Sequence, residues 1–204
     1  AKNECLIKSH KGINVPTASI SAKALTLKDK RDLDFGIKHG VDYIALSFVK
    51  NAKDILELKK ILRLKKSTAK VIAKIERHEA IVNLEEIIKA ADAVMVARGD
   101  LGIEIPAEQV PLQQKKIIHL CNIYGKPVIV ATQMLDSMIE NPRATRAEIS
   151  DAATAIFDHA DAFMLSNETA VGKYPVEATR TLSKVASAVE HDLKQHQHLL
   201  NLKR

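Results

Sequence analysis

The chain has 204 residues, 46% of them apolar and 27% charged, with two cysteines, no tryptophan and a formal net charge of +6. That length and apolar content can build one large core without disulfide or metal staples. No run approaches a membrane span, and Ala1-Lys2-Asn3-Glu4 has neither an initiator Met nor a secretory apolar core, so the start reads as a cut inside a longer protein. Aromatics are only 3% and the lysines are spread over helical segments such as 50–70, so the basic balance points to a solvated face and a cationic pocket for anionic metabolites rather than to nucleic acid.

In chain order, residues 1–24 read as irregular junction material punctuated by Gly12 and Pro16. Cys5 and Cys121 lie far apart without metal-ligand spacing, the usage of buried thiols in a reducing cytoplasm. Thr26-Leu27-Lys28-Asp29 has the pattern of a helix start, and Leu33 and Ile37 continue its stripe to a stop at Gly40. Five short apolar runs follow, each ending in a polar residue. Tyr43–Leu46 ends at Ser47, Val71–Ala73 at Lys74-Ile75-Glu76, Ala93–Ala97 at Arg98-Gly99-Asp100, Val128–Ala131 at Thr132, and Ala162–Leu165 at Ser166. Helices are predicted after them at 51–66, 79–91, 108–124 closing on Gly125, 146–159, and from about 175 onward.

Unalternating apolar runs are strands covered on both faces, as in parallel sheets. Right-handed crossovers of this length build either an open doubly wound sheet or a closed barrel. Gly99 and Gly102 lack the further glycines of a phosphate-binding loop, which favours the barrel. In such barrels catalytic groups sit at the C-terminal strand ends, where all five polar residues fall.

Lys74 and Glu76 are two apart, so their side chains share one side of the sheet; alone, the pair has a structural ion pair as its lesser alternative. Asp100 supplies a second carboxylate if its strand is the neighbour. Two carboxylates completed by water and substrate oxygens form a common Mg²⁺ site, and Lys74 would face the charge the metal leaves uncovered. Gly99-Asp100-Leu101-Gly102 can start a short helix whose N–H groups accept an anion, or form an ordinary tight turn. The hydroxyls of Thr132 and Ser166 can serve an anion or a proton relay, or cap the next helix.

At these residues the sequence resembles the pyruvate kinases. Ser47-Phe48-Val49, Lys74-Ile75-Glu76, the string from Met95 to Pro106, the string from Ala131 to Met138, and Asn141-Pro142-Arg143-Ala144-Thr145-Arg146-Ala147-Glu148 look like that family's signature segments, in its order. The resemblance starts at Lys11-Gly12-Ile13-Asn14, similar to the return from the family's inserted lid domain. It implies an α/β fold, a partial TIM (β/α)8 barrel with about five of eight units visible. Residues 1–24 would be the junction from the lid and 25–204 the C-terminal portion of the catalytic barrel, with the first three strands, the lid and the effector domain outside the chain.

The implied activity is phosphoryl transfer between phosphoenolpyruvate and ADP, giving pyruvate and ATP in glycolysis. By the same resemblance Glu76 and Asp100 would hold Mg²⁺ or Mn²⁺, with K⁺ bound by ligands mostly outside this chain. Lys74 would stabilise the phosphoryl group in flight, and Phe48 would pack beside it. Gly99, Asp100 and Thr132 would hold the pyruvate carboxylate, and Ser166 would sit on the proton path to the enolate. Arg146 would reach across an interface of a homo-oligomer, a tetramer in the family; neither nucleic acid nor membrane is an implied partner. One departure is Ser166-Asn167-Glu168, where the family has Ser-Gly-Glu; Asn tolerates the left-handed backbone that such a turn could demand.

Two other readings stand beside this one. The chain could be a non-catalytic fragment or scaffold of the same descent, and on its own it is expected to be inactive. Alternatively, a pyruvate-binding barrel lyase would use Lys74 as a Schiff base; the adjacent carboxylates favour the protonated amine and oppose it. His191, His196 and His198 read as a helix end rather than a metal tract, and His78 as a helix-start residue rather than a base. The strands at 43–47 and 162–166 are expected to expose unpaired backbone.

Overall fold

The computed structural model describes residues 25–201. The expectations for residues 1–24, Cys5 included, and for the side chains of His196 and His198 fall outside the described residues. Thr26 caps helix α1 (Leu27–Lys38) in a reciprocal capping box with Asp29, and Gly40 ends the turn with φ +69°. Five strands follow: β1 (Tyr43–Leu46), β2 (Lys70–Ile75), β3 (Ala93–Ala97), β4 (Val128–Ala131) and β5 (Ala162–Met164). They form one sheet in the order β1-β2-β3-β4-β5, every pair parallel. A doubly wound sheet reverses its strand order at a switch point; here the order never reverses, which is the winding of a barrel arc.

Burial follows position in the arc. All five residues of β3 are buried, and β2 is buried except at Lys70 and Lys74, whereas β1 and β5 keep exposed positions. Among the described residues each of these two outer strands has a single neighbour, as expected. The main core lies between the sheet and its helices, and a smaller cluster of Ile72, Ala93, Met95 and Ala131 lines the other face. Leu58 of α2 (Ala52–Leu64) and Ile117 of α6 (Val110–Ile123) are fully buried in the main core.

The helix predicted over 79–91 is in fact two, α3 (His78–Val82) and α4 (Leu84–Ala90). Asn83 ends one and starts the other, and its side-chain amide donates to the carbonyl of Lys50 at 2.9 Å, a tertiary contact that outweighs local continuity. Residues Ala107–Gln109 form a 3₁₀ turn ahead of α6, and α7 (Arg146–Phe157) stops two residues early because His159 turns left-handed. Short helices α5 (Arg98–Glu104) and α8 (Asn167–Ala170) follow β3 and β5 directly, and α9 (Pro175–Asn201) closes the described chain. His191 lies exposed within α9, its ring nitrogen 2.8 Å from the Gln195 amide one turn later. Cys121 is fully buried, and desolvation pushes its thiol up to about 12. Among the described residues no helix is long and apolar enough to cross a membrane.

Candidate active site

Parallel pairing puts the C-terminal ends of all five strands on one rim, and the polar residues that end the apolar runs gather there. Lys74, the fifth residue of β2, points to the same side as Glu76. Its ammonium lies 2.5 Å from Glu76 Oε1 and donates to Ser47 Oγ at 3.1 Å. Glu76 is 1% exposed, and its Oε2 accepts the Phe48 N–H at 2.7 Å, so one carboxylate ties the ends of β1 and β2 together. The Lys74 contact is ionic and poorly directed, leaving Oε1 buried without a proper hydrogen bond. Phe48 has φ +55° and its side chain is half exposed.

The next strand end supplies Asp100. β3 neighbours β2 with Ile75 opposite Val96, so the chain beyond Glu76 and the start of α5 leave the sheet side by side. Asp100 is half-buried in the first turn of α5. Among the described residues no three His, Cys, Asp or Glu side chains are gathered in one place. A hard divalent ion fits this donor set: a buried carboxylate oxygen with unused acceptor capacity, a second carboxylate on the neighbouring strand end, and further positions left to water and substrate oxygens.

The expected anion cradle differs in one respect. α5 does begin at the strand end, but the Gly99 N–H is already committed, donating to Thr132 Oγ1 at 2.7 Å, while that hydroxyl donates to the Ala131 carbonyl at 2.6 Å. A Cβ on Gly99 would stand 3.4 Å from the same hydroxyl, a snug but tolerable contact. Thr132 and Gln133 are both left-handed, with φ +69° and +52°. For a β-branched residue that is a true outlier, of the kind that costs about 1–3 kcal/mol and persists only where its surroundings over-determine it.

Ser166 answers the capping alternative directly. Its Oγ is buried without a hydrogen-bond partner and caps nothing, although the residue immediately precedes α8. The left-handed backbone anticipated at Asn167 is absent: Asn167 simply opens α8, and its carbonyl accepts the Gly172 N–H at 2.9 Å. The glycine this turn depends on is Gly172, where a Cβ would lie 2.5 Å from the Glu168 carbonyl oxygen. Arg146 is exposed at the start of α7, away from the other site residues in sequence and element, and His78 is the first residue of α3.

Two residues of this rim had no role assigned from the sequence. The Arg98 guanidinium donates to the carbonyls of Thr132 (2.7 Å) and Gln133 (2.9 Å), contacts Met134 Sδ at 3.0 Å, and reaches Asp151 on α7 (2.6 Å). Glu168, 1% exposed, accepts the N–H groups of Leu135 (3.1 Å) and Ser166 (2.8 Å). The buried polar side chains among the described residues are Glu76, Gln114 and Glu168, and Gln114 touches Arg98 at 3.4 Å. Arg98 directly follows the buried strand β3, whereas Glu168 lies four residues beyond β5; both fall within the family-like segments, which name no role for them.

A parallel arc wound in one direction, with its polar chemistry confined to the C-terminal strand ends, defines part of a (β/α)8-barrel enzyme. A model of the pyruvate kinase barrel domain matches residues 1–179. The chain is 53% identical over 200 residues to a pyruvate kinase of Geobacillus stearothermophilus, covering 98% of this chain and 34% of the relative. It is 55% identical over 186 residues to pyruvate kinase 2 of a Synechocystis strain, covering 91% and 32%, and 50% identical over 202 residues to a pyruvate kinase of Clostridium acetobutylicum, covering 98% and 43%. The chain belongs to the pyruvate kinase family, within its barrel domain, and spans between 32% and 43% of the length of these relatives.

Proposed function

We propose that this chain is the C-terminal portion of the catalytic barrel of a cytoplasmic, glycolytic pyruvate kinase, which moves a phosphoryl group between phosphoenolpyruvate and ADP. The observation that carries the reading is the Lys74–Glu76 contact at the end of β2, with the buried Glu76 carboxylate bound to the Phe48 amide. An ammonium held in place by a buried carboxylate and the Ser47 hydroxyl is preorganised, so it can meet charge developing on a transferred phosphoryl group without reorganising.

Glu76 and Asp100 would hold Mg²⁺ or Mn²⁺, which when bound polarises substrate oxygens as a Lewis acid. Lys74 bears on the phosphoryl group. Asp100 N–H and the Thr132 hydroxyl, which must turn its proton from the Ala131 carbonyl, orient the pyruvate carboxylate, with Gly99 acting through its bond to Thr132. The unpartnered Ser166 hydroxyl lies on the proton path to the enolate. Phe48 shields Lys74 from water. K⁺ would bind chiefly through residues beyond this chain, and Arg146 would cross a subunit interface of a homotetramer.

The test is ATP formation from phosphoenolpyruvate and ADP by the full-length enzyme that carries this chain, with and without a divalent-ion chelator. Metal-dependent turnover supports the reading; its absence in folded enzyme overturns it. Reductive trapping with pyruvate that labelled Lys74 would favour the lyase instead. The isolated chain should show negligible activity and a mass above the monomer in light scattering, because among the described residues two open strand edges expose backbone and apolar side chains such as Tyr43. A monodisperse, fully active monomer would refute the partial-barrel part of the proposal.

A further inference from the structure

Residues 132–135 connect β4 to the 3₁₀ turn Asp136–Ile139, and opposite charges grip them from two sides. Arg98, whose side chain is 10% exposed, binds the carbonyls of Thr132 and Gln133 and the sulfur of Met134. Glu168, buried to 1% exposure, binds the N–H of Leu135 with Oε1 and that of Ser166 with Oε2. Each of the four residues is thus held by a charged side chain, and two of them are left-handed without being glycine. Beyond the backbone pairing of Ala131 with Met164, Glu168 joins the segment after the strand end that carries Thr132 to the one that carries Ser166. Arg98, through Asp151 and Gln114, anchors the same segment to α7 and α6.

We propose that Arg98 and Glu168 are positioning residues that fix the Thr132 hydroxyl relative to the Ser166 hydroxyl and so set the geometry of the proton step. A carboxylate with one oxygen on each amide acts as a two-ended spacer, and a forked guanidinium holds adjacent carbonyls at a fixed angle. Neither group needs to touch the substrate. A misplacement of about 1 Å in such an arrangement can cost about a hundredfold in rate. The inference rests on the pyruvate kinase reading for the roles of Thr132 and Ser166, but not for the clamp itself.

Glu168→Gln tests it, because the amide keeps the shape and leaves one oxygen to accept where two did. In the full-length enzyme we expect exchange of pyruvate's methyl protons to fall about a hundredfold, and ATP formation from phosphoenolpyruvate less than tenfold. Simple loss of folded protein lowers both in equal proportion, so an equal loss, or unchanged exchange, overturns the proposal. Arg98→Lys keeps the charge but not the fork; it should give the same unequal loss and serves if Glu168→Gln does not fold. If the unsubstituted enzyme shows neither reaction, the pyruvate kinase reading fails and amide hydrogen exchange on the folded full-length protein, with and without Glu168→Gln, decides the clamp. Faster exchange at Leu135 and Ser166, with β2 and β3 unchanged, supports it; unaltered exchange at both amides refutes it.

Discussion

The two rims of the sheet treat their charged groups in opposite ways. At the N-terminal ends of the strands one device is repeated. Asp92, just before β3, donates its N–H to the Val71 carbonyl and accepts the Val71 N–H on its carboxylate (3.0 and 2.8 Å), and Asp161, just before β5, does the same with Val128 (3.0 and 2.8 Å). Asp92 also takes an ion pair from Lys59 at 2.7 Å. At the C-terminal ends Glu76 Oε1 and Ser166 Oγ are buried without hydrogen-bond partners, and Phe48, Thr132 and Gln133 have left-handed backbones. The other non-glycine residues of that kind, Lys66 and His159, follow the ends of α2 and α7, where such a conformation is routine. One rim pairs its aspartates with backbone to hold the fold; the other, beside the fully bonded Arg98 and Glu168, keeps two buried oxygens with acceptor capacity unused.

Charge removal at the two rims should therefore have opposite signatures. The largest effect is expected from Asp100→Asn in the full-length enzyme, which should lower metal-dependent turnover by about a thousandfold or more, since it removes one of two carboxylates from the proposed ion. Asp92→Asn should leave kcat within about twofold. Retained turnover in the first, or a collapse of kcat in folded protein of the second, would break the contrast. Next in size, Lys74→Met should depress ATP formation by about a hundredfold while slowing pyruvate methyl-proton exchange less than tenfold. Equal losses would give the lysine a different role, and with the Glu168→Gln result the pair would separate charge stabilisation from proton placement.

The smaller effects belong to the other rim. Burial opposes ionisation at Asp92, but the hydrogen bonds from Lys59 and the Val71 N–H outweigh it and hold the carboxyl below its ordinary 3.8. Because the folded value is the lower one, this stabilisation is complete above 3.8 and is lost as pH falls through the folded value. Asp92→Asn should cost about 1–2 kcal/mol near neutral pH, visible as a lowering of Tm by about 2–4 °C per kcal/mol. The gap between variant and parent should shrink progressively below pH 3.8; a gap that stays constant would show that the carboxylate's charge is irrelevant.

The same contrast accounts for what could be read from the sequence. The strands were legible because a continuous apolar run such as Ala93–Ala97 fits only a strand covered on both faces. Helix starts were legible where a local capping pair such as Thr26 and Asp29 sets them, and the common rim of Ser47, Lys74, Asp100, Thr132 and Ser166 follows from parallel winding. Contacts that join residues distant in sequence were not legible. The break at Asn83 comes from a carbonyl 33 positions away, and Glu168 finds the Leu135 amide at the same separation. Likewise, the commitment of the Gly99 N–H to Thr132 requires knowing that the loop after β4 turns left-handed onto α5.

The unreversed strand order has a consequence for assembly. Among the described residues the arc has two free edges and supplies five strands of an eight-stranded ring, and a polypeptide that completes the ring must pair with Tyr43–Leu46 at one end and Ala162–Met164 at the other. The first pairing is a bimolecular encounter between short edges; the second then occurs within one complex, at an effective concentration set by the curvature of the arc. Closure of this barrel from separate pieces is thus a two-contact process, in which neither edge need bind strongly for the ring to lock.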